Sequence, residues 1–198
     1  MRLDRIKAYS IDLLVILILY VIINALIPAS DNLLKYKSYE RELQENFLEE
    51  KVSLSEYTSE YGKIYYKISQ ETKLNKIIYL VIAILYFVFL PYYFNGQTLG
   101  LYLNKLRIEK FRDGKLKLYH YLIRNIIVVG LGYTILSTIL IYFLDEKSYY
   151  SVVLIISLIQ IALLVLSWIM VLMKKEKRGI HEILSDTEMI CLRKKKFN

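Results

Sequence analysis

Long apolar runs separated by short charged segments set the pattern of this chain. Four runs stand out: Ile11 to Ala29, Ile77 to Phe94, Ile126 to Leu144 and Val152 to Met173. Each is close to the roughly 20 residues with which an α-helix crosses a hydrocarbon core about 30 Å thick. None shows the apolar–polar alternation of a barrel strand, and in lipid a helix is the other way to satisfy every backbone group. The pattern predicts an all-α integral membrane protein with four transmembrane helices, at about 8–29, 76–95, 122–144 and 151–174. Only Asp145 to Tyr150 joins the last two runs, which makes them an antiparallel hairpin.

The segments between the runs differ in character. Residues 30–75 are rich in Glu, Lys, Tyr and Leu, lack Pro and contain only Gly62, so they predict an exposed helical loop continuing from the first span. Ser30 and Asp31 are the expected caps, with Glu42, Glu45 and Glu49 at helical spacing. Residues 96–121 and 175–198 are expected as amphipathic segments on the membrane surface. In the first of these, Leu101, Leu103, Leu106 and Ile108 interleave with Lys105, Arg107 and Lys110, and Asp113-Gly114 suggests a small local hairpin. In the second, Arg178 and Glu182 share a helical spacing with Ile180 and Leu184, so a short helix is expected to pair its own ions and bury its apolar side.

Charge sets the expected orientation. Arg2, Arg5 and Lys7 precede the first span; Lys105 to Lys117 and Arg124 fill the link between the second and third; Lys174, Lys175, Lys177, Arg178 and the basic run at 193–196 follow the fourth. An even number of spans puts all three regions on one side, the cytoplasmic side by the positive-inside rule, together with both termini. The 30–75 loop carries several lysines, but its acids outnumber them, which suits an outer loop. Tyr79, Tyr92, Tyr93, Tyr142, Tyr149 and Tyr150 fall near span ends, where amphipathic rings favour the interface. Asn24 to Ser30 has the small residues of a leader cleavage site, but Asp12 interrupts the apolar core and that core is longer than a leader needs.

Composition narrows the chemistry. The mean hydropathy is +0.35. The net charge of +8 is spread between apolar runs, which suits anionic lipid at the cytoplasmic face and not nucleic acid. One cysteine, Cys191, and two histidines leave no disulfide framework or thiolate metal set, and no cofactor motif or nucleophile–base pair is legible. The expectation is a protein without catalytic, metal or cofactor residues.

Three stretches carry information. Arg5, Ala8 and Asp12 lie on one helical stripe; a carboxylate inside a span is costly enough to face protein or water, and Ala8 permits a close helix approach. Asn95-Gly96 ends the second span and Gly100 allows a close backbone contact after Thr98. Arg178, His181 and Glu182 follow the fourth span, with His181 read as structural and not as a ligand. In this order the three resemble the motifs of the RDD family of bacterial membrane proteins. Arg5, Ala8, Ile11 and Asp12 match its first motif, Gly96, Thr98, Leu99 and Gly100 its second with Arg107 and Arg124 beyond, and Arg178, His181 and Thr187 its last. Glu182 stands where the family has its second aspartate, Leu101 where a lysine is expected and Asp186 where glycine is common. The resemblance implies a polytopic membrane protein for which transport of ions or small solutes is usually proposed.

Two functions follow as expectations. In one, Arg5, Asp12, Arg124, Arg178, His181 and Glu182 form a polar cluster serving cation/proton exchange or related transport, alone, as a homo-oligomer or with a membrane partner. In the other, the same residues only hold the helices of a scaffold, assembly or immunity-type protein together.

Overall fold

The computed structural model describes residues 2–173 and 178–192. The expected basic residues Lys174, Lys175, Lys177 and 193–196 lie outside the described residues.

Helix α1 (Arg2–Ala25) buries one stripe only, Arg5, Ala8, Asp12 and Ile16. Many of its other apolar side chains are exposed, Leu14, Leu17, Val21 and Ile22 by more than half. That is the surface of a helix solvated by lipid. The helix starts six residues earlier than expected and ends at Ala25, ahead of Pro28, so the following segment does not continue it. Helices α2 (Asp31–Leu48) and α3 (Leu54–Glu71) pack against each other, and α3 also packs on the fourth span. Ser30 and Ser53 cap them, accepting from the amides of Leu33 and Glu56.

The second span, Lys73–Tyr93, consists of α4 (Lys73–Ile84), a π-helical turn (Leu85–Phe89) and α5 (Leu90–Tyr93). Pro91 explains the irregular turn: it has no N–H for the carbonyl of Phe87, four residues back, and its ring crowds that carbonyl. The Phe87 oxygen instead accepts from Asn125 Nδ2 at 2.9 Å.

The connector that follows is a compact helix–strand unit. Helix α6 (Leu99–Leu103) is capped by Thr98 and leads into strand β1 (Leu106–Lys110). The Asp113-Gly114 hairpin does not form. β1 pairs antiparallel with β2 (Thr187–Cys191), Ile108 opposite Met189, so the fold is not purely helical. The alternation of Leu106 and Ile108 with Arg107 and Glu109 is strand periodicity: the two apolar residues are buried and the two charged ones are not.

The third span is also not one straight helix. Helices α7 (Leu118–Val128) and α8 (Leu131–Leu140) meet at 79° around Gly130, whose φ of +72° is left-handed. The carbonyls freed at the break are taken up by side chains: Gln160 donates to Ile127 O at 2.6 Å and Tyr9 to Val128 O at 2.7 Å. Helix α9 (Glu146–Met173) forms the last span, and α10 (Ile180–Leu184) follows it. Tyr149, expected at the interface, is fully buried against Tyr65 and Tyr66 of α3. Among the described residues, three helices are long and apolar enough to cross a membrane, or four if the bent pair counts as one span.

Candidate functional site

The buried stripe of α1 meets two groups of partners. Asp12 faces the connector. Its Oδ1 accepts from Tyr86 OH at 2.6 Å and from the Gly100 amide at 2.8 Å, and its Oδ2 from Thr98 Oγ1 at 2.6 Å. The carboxylate thus fixes the start of α6, and Thr98 is both the cap of that helix and a donor to Asp12. Ala8 and Gly100 make this possible. A Cβ on Gly100 would run into the carbonyl of Ala8 and stand 2.8 Å from the Asp12 carboxyl carbon, so the absent side chain is what lets the two backbones touch. Gly96 has the same role one turn earlier, with φ +81° and the Ile108 carbonyl where a Cβ would be.

Two turns toward the N terminus from Asp12, Arg5 enters a second group. Its Nη1 lies 3.2 and 3.1 Å from the two oxygens of Glu182, and its Nη2 donates to Met189 O of β2. Arg124, buried on α7, adds a second guanidinium 3.4 Å from Glu182 and donates to Thr187 Oγ1. Glu182 itself has no exposed surface and also accepts from the Gly179 amide at 3.0 Å. Several kcal/mol of desolvation per buried ion makes such a carboxylate tolerable only with this many donors. The group ties α1, α7, α10 and β2 into one end of the bundle.

Arg178 and Glu182 are not the ion pair expected from their spacing. Arg178 instead donates to the carbonyls of Glu182 and Thr187 and stacks over Phe111, 3.5 Å from the ring centre. The face that α10 buries is also reversed: His181, Glu182 and Ser185 are inside while Ile183 and Leu184 are exposed. His181 packs against Ser167 of α9, with Nδ1 and the hydroxyl 2.5 Å apart. Burial, and the guanidiniums of Arg124 and Arg5, hold its imidazole well below the ordinary pKa, so it is neutral at physiological pH.

These residues surround a cavity of about 50 Å³ bounded by Arg5, Tyr9, Asp12, Arg124, Asn125 and His181 and reaching Val128 at the helix break. A larger cavity of about 530 Å³ lies beyond the break, against Tyr133, Thr134 and Ser137 of α8. Successive turns of α1 line the two: Arg5, Tyr9 and Asp12 the first, Leu13, Ile16, Leu17 and Tyr20 the second.

All six charged or titratable residues singled out in the sequence are therefore buried at one end of the bundle. Asp12, however, is met by hydroxyls and an amide, and among the described residues it makes no ion pair. Tyr9, Tyr86 and Asn125 join the site without a sequence motif that marks them. Both tyrosines count as apolar in a hydropathy pattern, and only their position on the inward face of a span marks them. Among the described residues, no group of three His, Cys, Asp or Glu side chains is placed to hold a metal.

A family model described as the RDD family matches residues 2–186. No curated protein and no solved structure matches the chain.

Proposed function

The chain belongs to the RDD family, and from that premise we propose that it is a multi-pass protein of the bacterial cytoplasmic membrane that transports ions or small solutes, alone or as a transporter subunit. Its termini are on the cytoplasmic side. Supporting this placement, Arg5, Arg107, Lys110, Arg112 and Lys115 belong to the end of the bundle built from α1, the connector and α10, where anionic lipid is the natural neighbour, while the acid-rich α2 and α3 belong to the other.

The observation that carries the transport reading is the break at Gly130 with a cavity on either side of it. Broken helices that line cavities near the middle of a membrane are the sites at which transporters hold their cargo, because non-helical backbone is tolerated there only where protein or water satisfies it. Asp12 lines the inner cavity and is the group we assign to proton exchange against a cation. Because three or four spans enclose little, two or more copies, or a membrane partner, would complete the pathway. No catalysis is part of this proposal.

The second reading, a non-transporting scaffold, draws support from a specific observation: Arg5, Arg124 and Glu182 satisfy one another, and Asp12 already accepts three hydrogen bonds. The two readings separate in proteoliposomes loaded with a pH-sensitive dye. Transport predicts that addition of sodium or potassium to vesicles under a proton gradient changes the internal pH, and that protein-free vesicles do not respond. A response equal to that of empty vesicles for both cations rejects cation/proton exchange, the role assigned to Asp12, and favours the scaffold.

A further inference from the structure

At the opposite end of the bundle from the Arg5–Glu182 group, Lys76 stands in the first turn of α4. A lysine near the end of a span ordinarily extends its ammonium toward water. Lys76 does the reverse. Its Nζ donates to Ser69 Oγ at 3.2 Å and to the hydroxyl of the fully buried Tyr149 at 3.3 Å. An ammonium has three N–H donors and no acceptor. Two are used, and among the described residues no carboxylate pairs with the charge; Glu146, in the first turn of α9, is engaged with Lys67.

Lys76 is also part of the wall of the 530 Å³ cavity between α1, α4 and α8. That volume is in the range of small-ligand pockets, roughly 300–1,000 Å³. The remaining walls are Leu13, Ile16 and Leu17 of α1 with the rings of Tyr20, Tyr79 and Tyr133. The hydroxyls of Thr134 and Ser137 are turned to backbone carbonyls of their own helix, which leaves Lys76 as the cation facing an otherwise apolar space. Leu13 and Leu17 are exposed on the surface that α1 presents to lipid, so an occupant enters from the bilayer.

We infer that this cavity holds an anionic phospholipid of the surrounding membrane, with its headgroup phosphate at Lys76 and one acyl chain along Leu13, Ile16 and Leu17. The phosphate supplies the counterion that the protein does not, and aromatic side chains at the level of Lys76 are the usual companions of a headgroup. The lipid would fill the gap between α1 and α8 and hold the outer helical pair, through Ser69 and Tyr149, to the spans.

The test is lipid retention by the full-length protein, a readout separate from flux. Protein taken from nanodiscs of equal phosphatidylglycerol and phosphatidylcholine is analysed by native mass spectrometry, as wild type and as Lys76→Gln, Lys76→Arg and Leu17→Trp. The wild type should keep one phosphatidylglycerol in preference to phosphatidylcholine. Lys76→Gln should lower that preference about tenfold, the scale of one charge-assisted hydrogen bond, and Lys76→Arg should keep it. Leu17→Trp, a change at an exposed rim position, should weaken retention without lowering the melting temperature in detergent. Equal retention of the two lipids by the wild type, or unchanged preference in Lys76→Gln, overturns the inference. If Lys76→Gln does not fold, the wild-type preference and Leu17→Trp decide. Retention of added oleate in place of phosphatidylglycerol would assign the site to a free fatty acid and also overturn it.

Discussion

Arg5 and Glu182, 177 residues apart, form a buried ion pair in which one guanidinium nitrogen lies within 3.2 Å of both carboxylate oxygens. It joins the first turns of the chain to the segment after the last span, and Arg124 shares the same carboxylate. Removing the acid leaves two buried cations facing each other. Glu182→Gln should cost about 3–5 kcal/mol, as loss of one partner from a buried pair does. Adding Arg5→Met should recover part of it, because the repulsion then disappears. Thermal unfolding in detergent of the two single variants and the double variant measures both effects.

The contact between α1 and α6 depends on a missing side chain. Gly100→Ala should push α6 off Ala8 and pull Thr98 and the Gly100 amide away from Asp12. The expected loss is about 1–3 kcal/mol, the usual cost of overpacking. A lower melting temperature in detergent and a smaller folded fraction on size-exclusion chromatography would register it.

Gly130 separates backbone strain from crowding. A Cβ there meets nothing nearer than Gln160 at 3.9 Å, but φ is +72°. Gly130→Ala should therefore cost about 1–2 kcal/mol, the penalty of a left-handed L-residue, and Gly130→Asn should cost less. Equal melting temperatures for wild type and Gly130→Ala would mean that the helix is not broken at this residue.

His181 makes stability depend on pH. Its folded pKa is depressed below the ordinary value by burial and by Arg124 and Arg5, while Glu182, 4.0 Å from Nε2, is already shared by those two cations. The unfolded chain then takes up a proton that the folded one refuses. The contribution is complete above about pH 6.5, the ordinary value of the imidazole, and is lost progressively as the pH falls below it. Melting temperatures measured from pH 8 to pH 5 should decline on the acid side, and His181→Gln should flatten that decline.

The spans and the motif residues were legible because continuous hydrophobicity and intramembrane charge are strong signals. The long helices of the first, second and fourth runs are where the apolar pattern puts them, with ends shifted by a few residues. The bend in the third run was not legible, since Gly130 and Gly132 lie in unbroken apolar sequence. The sheet is hidden in the sequence for another reason. β1 and β2 are 77 residues apart at the nearest (Lys110 and Thr187), and no local feature links them, although the alternation at Leu106 to Glu109 does carry the strand period. Asp12 was legible as a buried group but its partners were not: Tyr86 is hidden among apolar neighbours, and the Gly100 amide has no side chain to show. The face of α10 reversed because Glu182 is held by Arg5 and Arg124 from other elements, a tertiary demand stronger than the spacing within the helix.

The proposal that the chain moves ions, with Asp12 as the exchanging group, is tested most directly by flux through Asp12→Asn. Wild type and variant are reconstituted at equal folded protein, checked by melting temperature, and cation-driven proton movement is followed in vesicles. The proposal predicts clear flux for the wild type and at least a tenfold drop for a folded Asp12→Asn, about the effect of 1.4 kcal/mol on a rate. Equal flux from the two, or none from the wild type, would contradict it.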